Sequence, residues 1–123
     1  TLKATLDEVT EGRCVISAPL LPETRQQHGA GHAGATFTLV DTAAGYAALP
    51  LIPPGSEVMT AEMKINLLSP AIGERLIATG EGVRAGRRLI VGRGEGLGEE
   101  AGRTRTIAIV QGTMIPVDPP AEP

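Results

Sequence analysis

The chain has 123 residues, of which 41% are hydrophobic and 20% charged, a composition typical of one globular domain. Its net charge of −3 argues against a general nucleic-acid binder or a partner of anionic membranes. With 2% aromatic residues and no tryptophan, it lacks a stacking platform for single-stranded nucleic acid. The single cysteine, Cys14, excludes an intrachain disulfide and a cysteine-based zinc site. Without a long apolar run or a signal-peptide pattern, we expect a cytoplasmic protein.

The first third of the chain predicts a hairpin followed by a long loop. Residues 2–18 alternate apolar and polar side chains about a turn at Glu11 and Gly12. Residues 19–32 are interrupted by prolines and glycines, and their length and polarity suggest a functional loop. This loop carries His28 and His32, but no acidic residue accompanies them between residues 26 and 34, so a metal site is disfavoured.

Residues 33–49 form the least polar long stretch and have two possible structures. The length of the stretch favours one buried helix that ends before Pro50. Alternatively, residues 36–40 form a strand and Asp41 caps a short helix over residues 42–49. Propensity does not separate the two.

The rest of the chain predicts strands. Residues 60–67 alternate as a half-buried strand, and segments 74–84, 88–97 and 103–115 follow with turn residues between them. We assign residues 1–115 to a single domain and predict a poorly ordered, proline-rich tail over residues 116–123. This order of elements predicts an α+β fold with an antiparallel sheet curled around one helix.

Asp41 is the first candidate for chemistry. Its neighbours Val40, Ala43 and Ala44 are apolar, and no Lys or Arg lies nearby in sequence to pair with it. Burying an unpaired carboxylate costs several kcal/mol, so chains seldom do so without a catalytic or structural reason. If the helix is continuous, Asp41 is a candidate general base or nucleophile that desolvation would strengthen. The alternative is the helix cap described above.

Two further segments could bind anions. The small residues from Gly29 to Gly34 would let backbone N–H groups at a helix start approach a ligand, as in an oxyanion hole. The competing interpretation is an ordinary glycine-rich turn. Arg84, Arg87 and Arg88 surround a predicted hairpin turn and could hold a phosphate, although taken alone they favour a solvated basic turn.

Taken together, these motifs resemble the hotdog-fold acyl-CoA thioesterases, in particular the phenylacetic-acid-pathway (PaaI-type) subfamily. The resemblance rests on Gln26, the tripeptide His32-Ala33-Gly34, and Asp41 within Leu-Val-Asp-Thr-Ala, nine residues after the histidine. It continues with a strand that starts at Thr60 and ends in Ser69-Pro70-Ala71, and with the turn Gly86-Arg87-Arg88. The resemblance implies a hotdog fold, in which a curved antiparallel sheet wraps one long central helix.

The resemblance also implies roles for individual residues. Asp41 would be the base or nucleophile, the backbone N–H of Ala33 the oxyanion donor, Gln26 the group that orients water or the carbonyl, and Thr60 a hydrogen-bond partner of the water or of Asp41. The substrate and its coenzyme A portion would be bound by His32, Gly34, Ser69, Arg87 and Arg88.

Three features depart from the family pattern or conflict with it. Ala33 replaces the first glycine of the usual His-Gly-Gly, so a positive φ there would be costly. Gln26 is one methylene longer than the commoner asparagine. Strict alternation places Thr60 on the strand face opposite Ala61, Met63 and Ile65. Thr60 can then reach Asp41 only if its own face meets the active site.

The function that follows is hydrolysis of an acyl- or aryl-CoA thioester to the free acid and coenzyme A, without a metal or a redox cofactor. The alternatives are a dehydratase on the same fold, for which His32 is a poor catalytic candidate, and a non-catalytic acyl-CoA-binding module. In one helix, Ala33 and Asp41 lie about 12 Å apart, too far to act on one carbonyl. The prediction is therefore a homodimer with shared sites, and the family suggests a homotetramer built from two dimers.

Overall fold

The structure, a computed structural model, describes residues 3–20, 33–86 and 88–118. Its elements are β1 (Thr5–Thr10), β2 (Arg13–Pro19), α1 (Ala33–Ala48), a 3-10 turn (Leu49–Leu51), β3 (Glu57–Leu67), β4 (Arg75–Ala85), β5 (Ile90–Glu100) and β6 (Arg103–Val117). The strands form one antiparallel sheet in the order β1-β2-β4-β5-β6-β3. The predicted α+β arrangement, a curved sheet around a single helix, is confirmed.

Most of the predicted elements occur where the sequence pattern placed them. The first hairpin turns at Glu11 and Gly12, and Gly12 has the positive φ of 83° that favours glycine at such a turn. Residues 33–48 are one continuous helix, so the alternative of a strand with Asp41 as a helix cap is wrong. The buried face of the helix, which covers the centre of the sheet, comprises Ala35, Thr36, Leu39, Val40, Ala43, Ala44, Ala47 and Ala48.

The predicted tail begins two residues too early. Pro116 and Val117 belong to β6, where they pair with Val58 and Glu57 of β3. On its other side β6 has no β5 partner beyond Met114, because β5 starts at Ile90 and Ile90 pairs with Met114. Proline has no N–H, but no β5 residue lies beside Pro116 whose carbonyl would be left without a hydrogen-bond donor. Proline is therefore tolerated at this strand end. Residues 119–123 lie outside the described residues.

The helix packs closely on glycines of the sheet, which explains how a core almost without aromatic residues is filled. A Cβ added at Gly80 of β4 would overlap the backbone carbonyl of Ala43. At Gly94 of β5 it would lie 2.7 Å from Cγ1 of Val40, closer than real Cβ atoms approach. Small residues on both surfaces thus let the helix backbone lie close to the strands. The core is filled by this close approach and its dispersion contacts, so large side chains are not needed.

Two further properties concern the chain as a whole. Within the three described ranges, no helix combines the length and the apolar character that crossing a membrane requires. Cys14 is fully buried on β2 and takes part in no disulfide. Burial, and to a smaller degree the negative charge of Glu8, raise the pKa of the Cys14 thiol, which disfavours its reactive thiolate form.

Candidate active site

The side chains of Asp41 and Thr60 meet at the edge of the sheet. Asp41 lies in the third turn of α1 and is half-buried, whereas Thr60 lies on β3. The Thr60 hydroxyl Oγ1 donates a hydrogen bond to Asp41 Oδ1 at 2.9 Å. A carboxylate oxygen held by a hydroxyl donor in this way is fixed in direction, which a general base or nucleophile requires.

A β-bulge in β3 places Thr60 on the helix side of the sheet. Thr60 pairs with Met114 and Glu62 with Thr113, so Ala61 is an extra residue without a partner on β6. Cross-strand partners share a face, and Met114 is fully buried against the helix. Thr60 therefore faces α1.

The same bulge corrects the expectation from strict alternation. Beyond it, Met63 pairs with Gly112 and Ile65 with Val110, and both pack against the core. One inserted residue shifts the period-two pattern by one position, so Thr60, Met63 and Ile65 share the helix-facing side. The prediction from uninterrupted alternation, that Thr60 lies on the opposite face from Met63 and Ile65, is therefore wrong.

Apart from the Thr60 hydroxyl, the described part of the chain supplies no hydrogen bond and no ion pair to the Asp41 carboxylate. The four salt bridges between described residues join Arg13, Arg75 and Arg93 to acidic side chains on the strands. Among the described residues Asp41 Oδ2 has no partner, which leaves this oxygen to accept a proton from water or to approach an electrophile.

The helix start forms a second group of predicted site residues. Ala33 is the first residue of α1, and both Ala33 and Gly34 are exposed. Among the described non-glycine residues, only Lys3 and Ala101 have positive φ. Ala33 therefore does not carry the backbone strain that a positive φ would impose. The N–H groups of the first helical turn have no partner inside the helix, and the helix dipole favours negative charge beside them.

Ser69 lies at the opposite end of β3 from Thr60, nine residues further along and at most about 30 Å away. Its Oγ is buried and has no hydrogen-bond partner among the described residues. At this end of β3, Leu67 pairs with Ala108 of β6, which pairs in turn with Gly96 of β5. Gly96 packs against Thr36 in the first turn of α1. Ser69 thus belongs to the helix-start end, and the structure does not bring it to Asp41 of the same chain.

Arg88 lies near the other end. It is exposed in the turn between β4 and β5, and neither Arg88 nor Arg84 forms a salt bridge with a described residue. Ile90, two residues later, and Thr60 both pair with Met114, which puts them about 10 Å apart across the sheet. Arg88 is therefore on the same side of the molecule as Asp41.

Three predicted site residues, Gln26, His32 and Arg87, lie outside the described residues, as does His28. Within the described ranges, no cluster of three or more histidine, cysteine or acidic side chains is suited to hold a metal ion.

Comparison with known proteins identifies the family. The family model of the thioesterase superfamily matches residues 28–104, which include the Asp41–Thr60 pair. The chain belongs to the thioesterase superfamily. It is thus placed among the thioester hydrolases, as the sequence motifs implied. No curated protein matches the chain in sequence.

Solved structures support the same placement. A thioesterase family protein from Silicibacter pomeroyi is 36% identical, with a TM-score of 0.93 over 96% of this chain and 87% of that one. A Bacillus halodurans protein solved with CoA is 28% identical, with a TM-score of 0.77 over 84% and 66% of the two chains. The PaaI protein of the Escherichia coli phenylacetic acid degradation operon, 23% identical, shares the fold with a TM-score of 0.84 over 94% and 80%.

Two features that support the site are absent from the sequence predictions: the bulge at Ala61, and the close approach of the helix to the glycines of β4 and β5. The signal for the second was visible, because Gly92, Gly94, Gly96 and Gly98 alternate along one strand, which marks a face that another backbone approaches. No sequence signal points to Ala61.

Proposed function

We propose that the chain is an acyl-CoA thioesterase in which Asp41 is the general base or nucleophile, releasing a free acid and coenzyme A. The observation that carries this proposal is the 2.9 Å hydrogen bond from Thr60 to Asp41. This bond fixes the direction of the half-buried Asp41 carboxylate, and the chain that carries it belongs to the thioesterase superfamily. The Bacillus halodurans relative solved with CoA supports coenzyme A as the leaving group.

In the simplest mechanism, Asp41 removes a proton from a water molecule as its oxygen attacks the thioester carbonyl carbon. The carbonyl oxygen becomes an oxyanion held by a backbone N–H. The intermediate then collapses, the C–S bond breaks, and the coenzyme A thiolate takes up the proton from Asp41. General-base action contributes about 10²–10⁴-fold and an oxyanion donor about 10²–10³-fold. Direct attack by Asp41, with an anhydride that water then hydrolyses, uses the same residues. Neither route needs a metal or a redox cofactor.

The proposed site is shared between two subunits. Each chain carries two half-sites: Asp41 with Thr60, and Ala33 with Gly34 and Ser69. Ala33 and Asp41 are eight residues apart on one helix, about 12 Å along its axis. A carbonyl carbon must lie about 3 Å from its attacking atom while its oxygen reaches the donor, so one chain cannot supply both.

The edge strand β3 offers the means of assembly. Among the described strands it pairs with β6 alone. It is 11 residues long and exposes Met59 and Leu67, and no described strand pairs with its outer edge. If two copies pair their β3 strands antiparallel across a two-fold axis, the Thr60 end of one strand faces the Leu67 end of the other. Asp41 of one subunit then approaches the helix start and Ser69 of its neighbour. Pairing of two such dimers into a tetramer remains a prediction.

The remaining residues are assigned by the family resemblance. Gln26 orients the water or the carbonyl, and His32, Gly34 and Ser69 contact the substrate. Arg87 and Arg88 contact the phosphates of coenzyme A. For Arg88, the absence of a salt bridge to any described residue supports this role, since its charge is left for an anionic ligand.

The test is a thiol-release assay with straight-chain, branched and aryl coenzyme A esters. Asp41→Asn keeps the shape of the side chain but removes the base, so kcat should fall by at least about 10²-fold while ester binding persists. Thr42→Val, a change on the exposed helix surface next to Asp41, serves as the control and should retain activity.

Two outcomes would contradict the proposal. If Asp41→Asn keeps close to full activity, Asp41 is neither base nor nucleophile. If the unaltered protein binds coenzyme A esters but releases thiol from none of them, it is an acyl-CoA-binding module.

A further inference from the structure

Gly45 occupies an unfavourable place for a glycine. It lies inside α1, where glycine costs about 1 kcal/mol relative to alanine because the unfolded chain loses more backbone freedom. The positive-φ glycines of the described chain are Gly12, Gly55, Gly73 and Gly102, so Gly45 has an ordinary helical conformation that alanine would also adopt. Backbone geometry therefore gives no reason for a glycine here.

Packing against the described residues gives no reason either. A Cβ added at Gly45 would meet no heavy atom of the described residues within 4 Å. Gly80 and Gly94, by contrast, face the tight contact between helix and sheet, where an added Cβ would overlap backbone or side-chain atoms. Gly45 lies on the opposite, partly exposed side of the helix. Its missing side chain thus leaves a space that no described residue fills.

Gly45 is one helical turn after Asp41. Positions i and i+4 of a helix share a face, and their Cβ positions are about 5–6 Å apart. The bare helix backbone at Gly45 therefore borders the carboxylate directly. In the proposed mechanism the thioester carbonyl carbon lies about 3 Å from the attacking oxygen. An acyl group that extends from this carbonyl toward the C-terminal end of α1 brings the atoms one or two bonds further along against the helix surface at Gly45.

We propose that Gly45 is a specificity-determining residue that admits acyl groups branched at the α- or β-carbon. This inference rests on the proposed thioesterase function and deepens it. The space opened by Gly45 is about that of a methyl group next to the reacting carbonyl, where branching adds its bulk. The length of the acyl chain beyond the β-carbon is not governed by this position.

The experiment compares butanoyl-CoA, 2-methylpropanoyl-CoA and 3-methylbutanoyl-CoA as substrates for the unaltered protein, Gly45→Ala and Gly45→Val. We expect the unaltered protein to hydrolyse all three. Gly45→Ala should lower kcat/KM for the branched esters by about tenfold or more, since one methyl group in a tight pocket discriminates by about 10–200-fold. For butanoyl-CoA the change should stay within about threefold, and Gly45→Val should lose the branched esters more completely.

Two measurements serve as controls. Thr42→Val alters the exposed helix surface about 100° away from Asp41 around the helix axis and should not change the ratio of branched to straight-chain activity. The melting temperature of Gly45→Ala should rise by a few degrees, because alanine favours the helix and its Cβ meets no described neighbour.

The alternatives give different results. An equal loss for straight and branched esters, or no loss for either, would overturn the specificity role. A lower melting temperature together with dissociation of the oligomer would show that a partner subunit, rather than substrate, occupies the space. Failure of the unaltered protein to hydrolyse any of the esters, and also the aryl esters, would instead refute the proposed thioesterase function and the inference with it.

Discussion

Thr60 and Asp41 are 19 residues apart in the chain, on an edge strand and on the central helix, and a 2.9 Å hydrogen bond joins their side chains. The bond exists because β3 contains one residue more than its partner strand at this point. Without the extra residue at Ala61, Thr60 would face away from the helix. A local irregularity in strand pairing thus assembles half of the proposed active site.

The first prediction concerns the part that Thr60 plays as a positioning residue. Thr60→Val keeps the shape of the side chain and removes the donor to Asp41, so we expect kcat to fall by about 10–100-fold, as for loss of a hydrogen bond to a charged group. Thr60→Ser retains the hydroxyl and should restore most of the rate. Steady-state kinetics of both variants with one good ester make the comparison. If Thr60→Val keeps its activity while Thr60→Ser loses it, packing of the methyl group, not the hydrogen bond, matters.

The second prediction concerns recognition of the coenzyme A phosphates. Replacing Arg87 and Arg88 together by alanine should raise KM for full coenzyme A esters and weaken its dependence on salt concentration, because two cations are removed. For pantetheine esters, which lack the nucleotide phosphates, the effect should be much smaller. A variant with Arg103 and Arg105 replaced, two exposed arginines at the start of β6, controls for the change in net charge. If both ester types suffer equally, the arginines at the turn support structure instead.

The third prediction tests the shared site. Asp41→Ala and Gln26→Ala are each expected to be inactive. When the two proteins are mixed under conditions of subunit exchange, about half of the dimers should be mixed, each with one intact and one doubly damaged site. Activity should then recover to about a quarter of that of the unaltered protein. Complete exchange, verified by mass spectrometry of labelled subunits, without any recovery would place both residues in one site on a single chain.

The fourth prediction concerns the glycines on which the helix packs. Gly80→Ala forces a Cβ into the backbone of Ala43, which cannot move without the helix, so the free energy of unfolding should fall by about 1–3 kcal/mol or more. Gly96→Ala is the matched control on the same face. Its Cβ would lie 3.1 Å from the Thr36 methyl group Cγ2, which can yield by a few tenths of an ångström. Denaturant unfolding should therefore rank Gly80→Ala as clearly the less stable variant. Similar stabilities for the two would show that the helix shifts freely over the sheet.

The sequence by itself determined the order and type of the elements. Alternation and turn residues located the first hairpin and the later strands, because these patterns reflect which side of a short segment is buried. For residues 33–48, local propensity left a helix and a strand with a short helix equally acceptable, and only the family resemblance favoured the continuous helix that the structure contains. Asp41 was singled out as a carboxylate among apolar neighbours without a nearby cation.

Only the tertiary structure decided how these parts meet. The bulge at Ala61 depends on the register between β3 and β6, strands that lie far apart in the chain, so no local pattern encodes it. In the same way, the glycines of β4 and β5 acquire their meaning from a helix that precedes them by more than thirty residues. The separation of Ala33 and Ser69 from Asp41 and Thr60 follows from the rigid lengths of α1 and β3. Contacts between distant segments are set by packing and hydrogen-bond register, which a sequence pattern of a few residues does not record.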